Sequence, residues 1–129
     1  MSLRIHHLAL RTRDPARIAR FYGDVLGLPI ARRDETRGSV WLEATGVVLM
    51  IEPADASEPA PNEGTRELLA FAIDPASPHP DLPAWRARLG EANVPIEAET
   101  PFTLYFRDPE GRRLAVSAFA FDHLTKEGD

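Results

Sequence analysis

The chain has 129 residues, of which 43% are hydrophobic, and its formal net charge is -5. This length supports one compact domain with a hydrophobic core and is too short for two typical domains. The negative charge and the lack of a long Lys and Arg run argue against a nucleic-acid partner, because phosphate binding requires clustered basic side chains. The absence of cysteine excludes disulfides, thiolate nucleophiles and cysteine zinc sites.

No apolar run as long as a signal peptide or a membrane-spanning helix follows the first residues. We therefore expect a cytoplasmic protein without a membrane partner.

The first predicted element is a strand. Residues 5–12 alternate in polarity, which places Leu8 and Leu10 on one face, where we expect them to pack under helices. The opposite face carries His7, Ala9 and Arg11.

A helix and a hairpin follow this strand. Asp14 and Pro15 stand in the order typical of a helix cap and a first helical residue, and the apolar spacing predicts a helix over about residues 15–26. Residues 39–44 and 47–51 predict two strands, because a Thr-Gly pair between them is typical of a tight turn.

The second half repeats this order. Residues 68–73 predict a strand, a helix is expected over about residues 81–92, and residues 102–119 predict a hairpin with a turn at Asp-Pro-Glu-Gly. Repeats of this kind fix an architecture before any residue is assigned a role.

The repeat predicts an α+β fold in one domain made of two βαββ modules. The first module covers about residues 4–53 and the second about residues 67–119. Residues 54–66, rich in Pro, Ala, Glu, Asn and Gly, predict a solvent-exposed linker, and residues 120–129 form a tail.

Several motifs carry a family resemblance. The first strand contains His-x-x-Leu, residues 14–28 run from Asp-Pro through Phe-Tyr to Leu-Gly-Leu, and residues 106–112 read Phe-Arg-Asp-Pro-Glu-Gly-Arg. Over about residues 4–119, their order and spacing resemble the vicinal oxygen chelate superfamily, which includes glyoxalase I, bleomycin-resistance proteins, fosfomycin-resistance enzymes and extradiol dioxygenases. The resemblance implies mixed sheets curled around a cup, with helices outside and often a second subunit. It names no reaction, because one fold hosts many functions.

Metal-dependent members of this superfamily hold a divalent metal in the cup, with ligands from the first and last strands of the modules. Carried over position by position, these ligand positions are His7, Met50, Leu68 and Ala115. Only His7 can bind a divalent ion there, whereas such sites need several imidazole or carboxylate ligands. Glu52 should share the face of Met50, and Glu67 should point away from the cup. We therefore expect no metal and no other cofactor.

Other catalytic patterns are weaker. No serine lies in a Gly-x-Ser-x-Gly elbow, and no glycines form a phosphate loop. Glu97 and Glu99 predict an exposed acidic edge. His6, His79 and His123 are predicted to be surface or strand-end residues.

Strand alternation predicts the side chains that line the cup. They are His7, Ala9, Arg11, Trp41, Val48, Met50, Glu52, Leu68, Ala70, Thr103, Tyr105, Arg113, Ala115 and Ser117. Aliphatic walls with aromatic rings and few polar groups are typical of small-molecule sites. The alternative is that these side chains fill a packed interior without a ligand.

We therefore predict a metal-independent, glyoxalase/bleomycin-resistance-like protein that binds a small, partly apolar molecule and forms a homodimer. One alternative is a metal-dependent lyase, transferase or dioxygenase that uses His7 with further ligands. Another is a metal-free isomerase or lyase with His7 as general base, for which the sequence shows no partner that orients the imidazole.

Overall fold

The computed structural model describes residues 2–61 and 63–120. The chain divides into two compact units, Met1–Pro61 and Asn62–Asp129. Each unit contains its own four-stranded mixed sheet. His123 and the rest of the predicted tail from residue 121 onwards lie outside the described residues.

The first unit contains one helix and four strands. In chain order they are β1 (His7–Thr12), α1 (Pro15–Arg20), β2 (Ile30–Asp34), β3 (Ser39–Ala44) and β4 (Val47–Pro53). The helix α1 continues into a π-helical turn at Phe21–Val25, so the helical segment ends close to the predicted residue 26. The sheet order is β1-β4-β3-β2, with β1 parallel to β4 and the other pairs antiparallel.

The core of the first unit lies between α1 and one face of this sheet. The Asp14 carboxylate accepts a hydrogen bond from the Arg17 backbone N–H at 3.2 Å, which confirms the predicted cap. The helical segment buries Ile18 and Tyr22 completely, and α1 contacts β3 and β4. Leu8 lies in register with the buried Leu49, but β1 is an edge strand and Leu8 stays 38% exposed. The predicted packing of Leu8 under the helix is therefore only partial.

The second unit repeats the first. Its elements are β5 (Leu69–Ala72), α2 (Leu82–Glu91), β6 (Ala98–Glu99), β7 (Thr103–Arg107) and β8 (Arg113–Ser117). The sheet order is β5-β8-β7-β6, and β5 is parallel to β8. The Asp81 carboxylate caps α2 by accepting the Ala84 backbone N–H at 3.0 Å. The helix contacts β7 and β8 and buries Leu89.

The α+β class and the repeated module are confirmed. Each module has one strand more than the predicted βαββ, because β2 and β6 follow the helices and give the order βαβββ. Both added strands lie at sheet edges, and most of their residues are exposed, so they lack the alternation that marks a half-buried strand. Among the described residues, no helix is long and apolar enough to cross a bilayer.

Candidate functional site

The predicted side chains of the first unit share one face of its sheet. Strand residues alternate between faces, and α1 covers the face of Leu42, Leu49 and Ile51, which are at most 2% exposed. We call the face of each sheet opposite its own helix the distal face. In the first unit the strand register places His7, Ala9, Arg11, Trp41, Val48, Met50 and Glu52 there.

One row of side chains crosses all four strands of this distal face. We call it the Trp41 row, and it consists of Ala9, Met50, Trp41 and Arg32. The guanidinium carbon of Arg32 lies 5.1 Å from the centroid of the Trp41 ring, which is a cation–π contact. Arg32 is absent from the predicted site, because the Arg-Arg-Asp run of β2 shows no alternation that would assign it to a face.

The indole nitrogen of Trp41 is buried and has no hydrogen-bond acceptor. It is the only such buried side-chain nitrogen or oxygen within residues 2–61 and 63–120. An indole N–H can donate but cannot accept, and leaving a buried donor unpaired costs about 1–3 kcal/mol. The ring as a whole is only half-buried. An acceptor brought by another molecule would remove this cost.

The polar side chains at one end of this face are already paired. Arg11 donates two hydrogen bonds to the Glu58 carboxylate, at 2.9 and 2.8 Å. Ser39 donates its hydroxyl to Glu52. Arg13 also binds the backbone carbonyls of Ala56 and Glu58, so the predicted linker is tied to the first sheet over these residues. Any ligand contact with Arg11 or Glu52 would have to compete with these bonds.

The Arg11–Glu58 pair predicts a specific acid response. The hydrogen bond from Arg11 lowers the pKa of Glu58 from 4.5 to about 2, with a smaller contribution from the Asp55 backbone N–H. Because the pKa of the folded state lies below that of the unfolded state, this carboxylate stabilises the fold above pH 4.5, and the stabilisation is lost as pH falls towards about 2. We expect Glu58→Gln to lower the melting temperature at pH 7. Between pH 4.5 and about 2, the melting temperature of this variant should decrease less than that of the parent protein.

The matched control for this experiment is Glu91→Gln, which removes an exposed carboxylate at the end of α2. Thermal denaturation of this variant should follow the parent protein over the same pH range. An acid profile of Glu58→Gln that coincides with the parent profile would contradict the assigned role of the Arg11–Glu58 pair.

His7 is exposed and its imidazole contacts that of His6. Its Nδ1 atom lies 2.9 Å from Nδ1 of His6, and the two rings meet edge to face. Which nitrogen donates depends on the tautomers. The exposed position of His6 agrees with the predicted surface or strand-end histidine, whereas His7 was predicted to line the cup.

The second unit presents a similar distal face with smaller side chains. Its row, the Tyr105 row, consists of Ala70, Ala115, Tyr105 and Ala98. Other predicted side chains on this face are Thr103, Arg113 and Ser117, and the Thr103 and Ser117 hydroxyls lie 2.8 Å apart. Leu68 precedes β5 and is 43% exposed, so it does not belong to the strand as predicted.

An arginine side chain also lies over the aromatic ring of the Tyr105 row. The guanidinium carbon of Arg113 lies 4.4 Å from the ring centroid, and its Nε donates to Glu97 at 3.1 Å. Arg107 donates to the other Glu97 oxygen at 2.8 Å. These bonds, chiefly that from Arg107, lower the pKa of Glu97. Glu97 and Glu99 are exposed as predicted, but each is paired with arginine, because Glu99 binds Arg86.

The positions that the resemblance assigns to metal ligands do not offer a suitable donor set. They hold the imidazole of His7, the thioether of Met50 and the alkyl side chains of Leu68 and Ala115, the last of which is 0% exposed. Within the described parts of the chain, no group of three or more His, Cys, Asp or Glu side chains could hold a metal ion. A divalent metal does not fit these side chains, because it needs several nitrogen or oxygen ligands from protein.

Several solved structures share the fold of this chain. The fosfomycin resistance protein FosX from Mesorhizobium loti is 17% identical, with a TM-score of 0.76 over 98% of this chain and 99% of that chain. Lactoylglutathione lyase from Agrobacterium tumefaciens is 24% identical, with a TM-score of 0.64 over 88% of this chain and 92% of that chain. A variant of FosX from Listeria monocytogenes, in complex with Mn(II) and a dihydroxypropylphosphonic acid, is 16% identical, with a TM-score of 0.72 over 100% and 99% of the two chains. At these identities the similarity concerns the fold alone.

A family assignment follows from the sequence profile. No curated protein matches this chain significantly. The profile of the Glyoxalase/Bleomycin resistance protein/Dioxygenase superfamily matches residues 4–116, which is most of the chain and includes both modules. This chain therefore belongs to the glyoxalase/bleomycin resistance protein/dioxygenase superfamily.

Proposed function

We propose that this chain binds a small, partly apolar molecule on the distal face of a sheet and that it does so without a metal. The observation that carries the proposal is the donor set at the family's ligand positions, where Met50, Leu68 and Ala115 stand in place of imidazoles or carboxylates. Side chains that cannot hold a metal can still offer apolar contact area to a ligand.

The chemistry of the two rows supports this proposal. The Trp41 row combines a thioether and an indole with one cation, and the Tyr105 row combines a phenol with small alkyl groups. Apolar and aromatic surface with a few placed polar groups is the usual make-up of a small-molecule site. The alternative is a metal-dependent lyase, transferase or dioxygenase that uses His7. The observation in favour of this alternative is that the chain shares its fold with the Listeria protein, whose structure contains Mn(II).

Metal analysis tests the proposal. We expect protein purified without an affinity tag to contain far less than one equivalent of Mn, Fe, Ni, Cu or Zn by plasma mass spectrometry. We also expect its melting temperature to be insensitive to EDTA and to added Mn²⁺, Ni²⁺ or Zn²⁺, because a metal that binds only the folded state must raise the apparent stability. A stoichiometric metal whose removal lowers the melting temperature would establish the alternative.

Two histidine variants make this result specific. His7→Ala removes the single imidazole at the family's ligand positions, whereas His6→Ala removes its exposed neighbour. A metal lost only in His7→Ala would belong to a family-type site, and a metal lost equally in both variants would belong to the exposed histidine pair.

We also propose that the chain forms a homodimer. Leu3 and Ile5, which precede the edge strand β1, are 82% and 68% exposed. Two-fold pairing is the commonest way to cover such apolar residues and strand edges. We expect light scattering at micromolar concentration to give about twice the 14.3 kDa mass of one chain. A mass of one chain at that concentration would contradict the dimer.

A further inference from the structure

We propose that the ligand of this chain carries a carbonyl or carboxylate oxygen, which accepts a hydrogen bond from the Trp41 indole N–H beside the Arg32 guanidinium. This inference rests on the proposed function and names the chemical class of the molecule bound at the first sheet. Its two supports are an unpaired donor and a cation that lacks a carboxylate partner.

The first support is the indole N–H of Trp41. Every other buried side-chain nitrogen or oxygen in the described residues has a hydrogen-bond partner, and this one has none. An indole N–H has no acceptor lone pair, so only an acceptor can satisfy it. Because the nitrogen is buried, a ligand oxygen reaches it by displacing the atoms that now cover it. Trp41 lies on the distal face beside Met50, among side chains that already match a ligand site in composition.

The second support comes from comparing the two arginine–aromatic pairs. In the second unit, Arg113 lies over Tyr105 and its charge is balanced by the Glu97 carboxylate at 3.1 Å. In the first unit, Arg32 lies over Trp41 at 5.1 Å, and no carboxylate of the described residues forms a salt bridge with it. Arg113 comes from a central strand and Arg32 from an edge strand, so the two pairs are similar in chemistry and not in position. A ligand oxygen at Arg32 would play the part that Glu97 plays at Arg113.

The rest of the Trp41 row fits an apolar body attached to that oxygen. Adjacent strands lie about 4.8 Å apart, so the row from Ala9 to Arg32 spans roughly 15 Å. Met50 and Ala9 contribute only apolar atoms, on the side of Trp41 away from Arg32. A ring or short alkyl group would lie over Met50 and Trp41, with its oxygen towards the indole N–H and the guanidinium.

Three small probes separate these contributions. Benzoate has a ring and a charged acceptor, acetophenone has a ring and a neutral acceptor, and toluene has the ring alone. The two indole N–H signals of the ¹⁵N-labelled protein belong to Trp41 and Trp85, and Trp85→Phe assigns them. We expect benzoate and acetophenone to move the Trp41 signal downfield in a saturable way, and we expect toluene to bind about tenfold more weakly than benzoate without this shift.

Variants identify the side chains that bind the ligand oxygen. Trp41→Phe keeps a ring and removes the N–H, and it should weaken benzoate binding about tenfold in ligand-observed NMR while leaving toluene binding nearly unchanged. Arg32→Gln should weaken benzoate binding about tenfold and acetophenone binding less than about twofold, since only benzoate is charged. The matched control is Arg33→Gln, because Arg33 is the next residue of β2 and pairs with Val40, which lies on the helix-covered face. This control should bind all three probes as the parent does.

Each outcome bears on the inference in a defined way. If toluene binds as tightly as benzoate, or if Arg32→Gln and Arg33→Gln behave alike, the inference is wrong while small-molecule binding stands. If none of the probes binds, the result contradicts both the inference and the proposed binding of a small molecule.

Discussion

Ala115→Glu is expected to lower the free energy of unfolding by about 3–5 kcal/mol at pH 7. Ala115 is 0% exposed and lies between Ala70 and Tyr105 in the Tyr105 row. A glutamate there must place four more heavy atoms, two of them carboxylate oxygens that carry a charge, into space that is now closed to solvent. This position is one that the family resemblance assigns to a metal ligand, so the experiment asks whether the site accepts a ligand side chain at all.

The expected pH dependence distinguishes charge burial from overpacking. Burial would raise the pKa of the introduced carboxyl group above that in the unfolded chain, so the loss should be largest at neutral pH and should shrink as the pH falls towards the pKa of the unfolded chain. Denaturant unfolding at pH 7 and at pH 5 measures this difference. A loss that does not change with pH would assign the whole effect to steric overpacking.

Ala98→Glu is the matched control. Ala98 pairs with Tyr105 on the edge strand β6, in the same row as Ala115, and is exposed. A glutamate there stays in water and should change the stability by no more than about 0.5 kcal/mol. If the two variants were equally stable, the new carboxylate at residue 115 would have found a partner, and Arg113 leaving Glu97 would be the first explanation to examine.

The parts of the fold that the sequence predicted are those with a local cause. The caps formed by Asp14 and Asp81 fix where the two helices begin. The Thr-Gly pair between β3 and β4 forms the expected turn, because Thr45 and Gly46 both adopt positive φ, 28° and 82°. Strand alternation also predicted which residues within a strand share a face, since the period of a strand is fixed at two residues, but Leu68 lies outside β5.

The parts that the sequence did not predict depend on contacts between distant positions. Arg11 and Glu58 are 47 positions apart, and nothing in the local pattern around either residue indicates that they pair. β2 is an exposed edge strand, so its residues carry no alternation, and Arg32 therefore could not be assigned to the distal face. The unpaired N–H of Trp41 becomes visible only when every neighbour of the ring has been placed.

Gly111→Ala is expected to lower the free energy of unfolding by about 2–4 kcal/mol. Gly111 has a φ of +90°, which a residue with a Cβ atom rarely adopts. A Cβ atom at this position would lie 2.5 Å from Cγ and 3.3 Å from Cα of Glu63, so rotation of the Glu63 side chain alone cannot relieve the contact. The turn that contains Gly111 joins β7 to β8, whose register places Tyr105 opposite Ala115.

Gly90→Ala is the control for the Gly111 experiment. Gly90 lies inside α2, and a Cβ atom there would meet nothing within 4 Å. Alanine is the better helix former, so the free energy of unfolding of this variant should rise by about 0.5–1 kcal/mol.

Adding Glu63→Ala to Gly111→Ala separates the steric contact from the backbone strain in a double-mutant cycle, because it removes the contact with Cγ and leaves the backbone strain. Recovery of about 1 kcal/mol or more in the double variant would assign that part of the loss to the contact with the Glu63 side chain. If Gly111→Ala leaves the free energy of unfolding unchanged, the β7–β8 turn tolerates a Cβ atom. That result would contradict the close approach of Glu63.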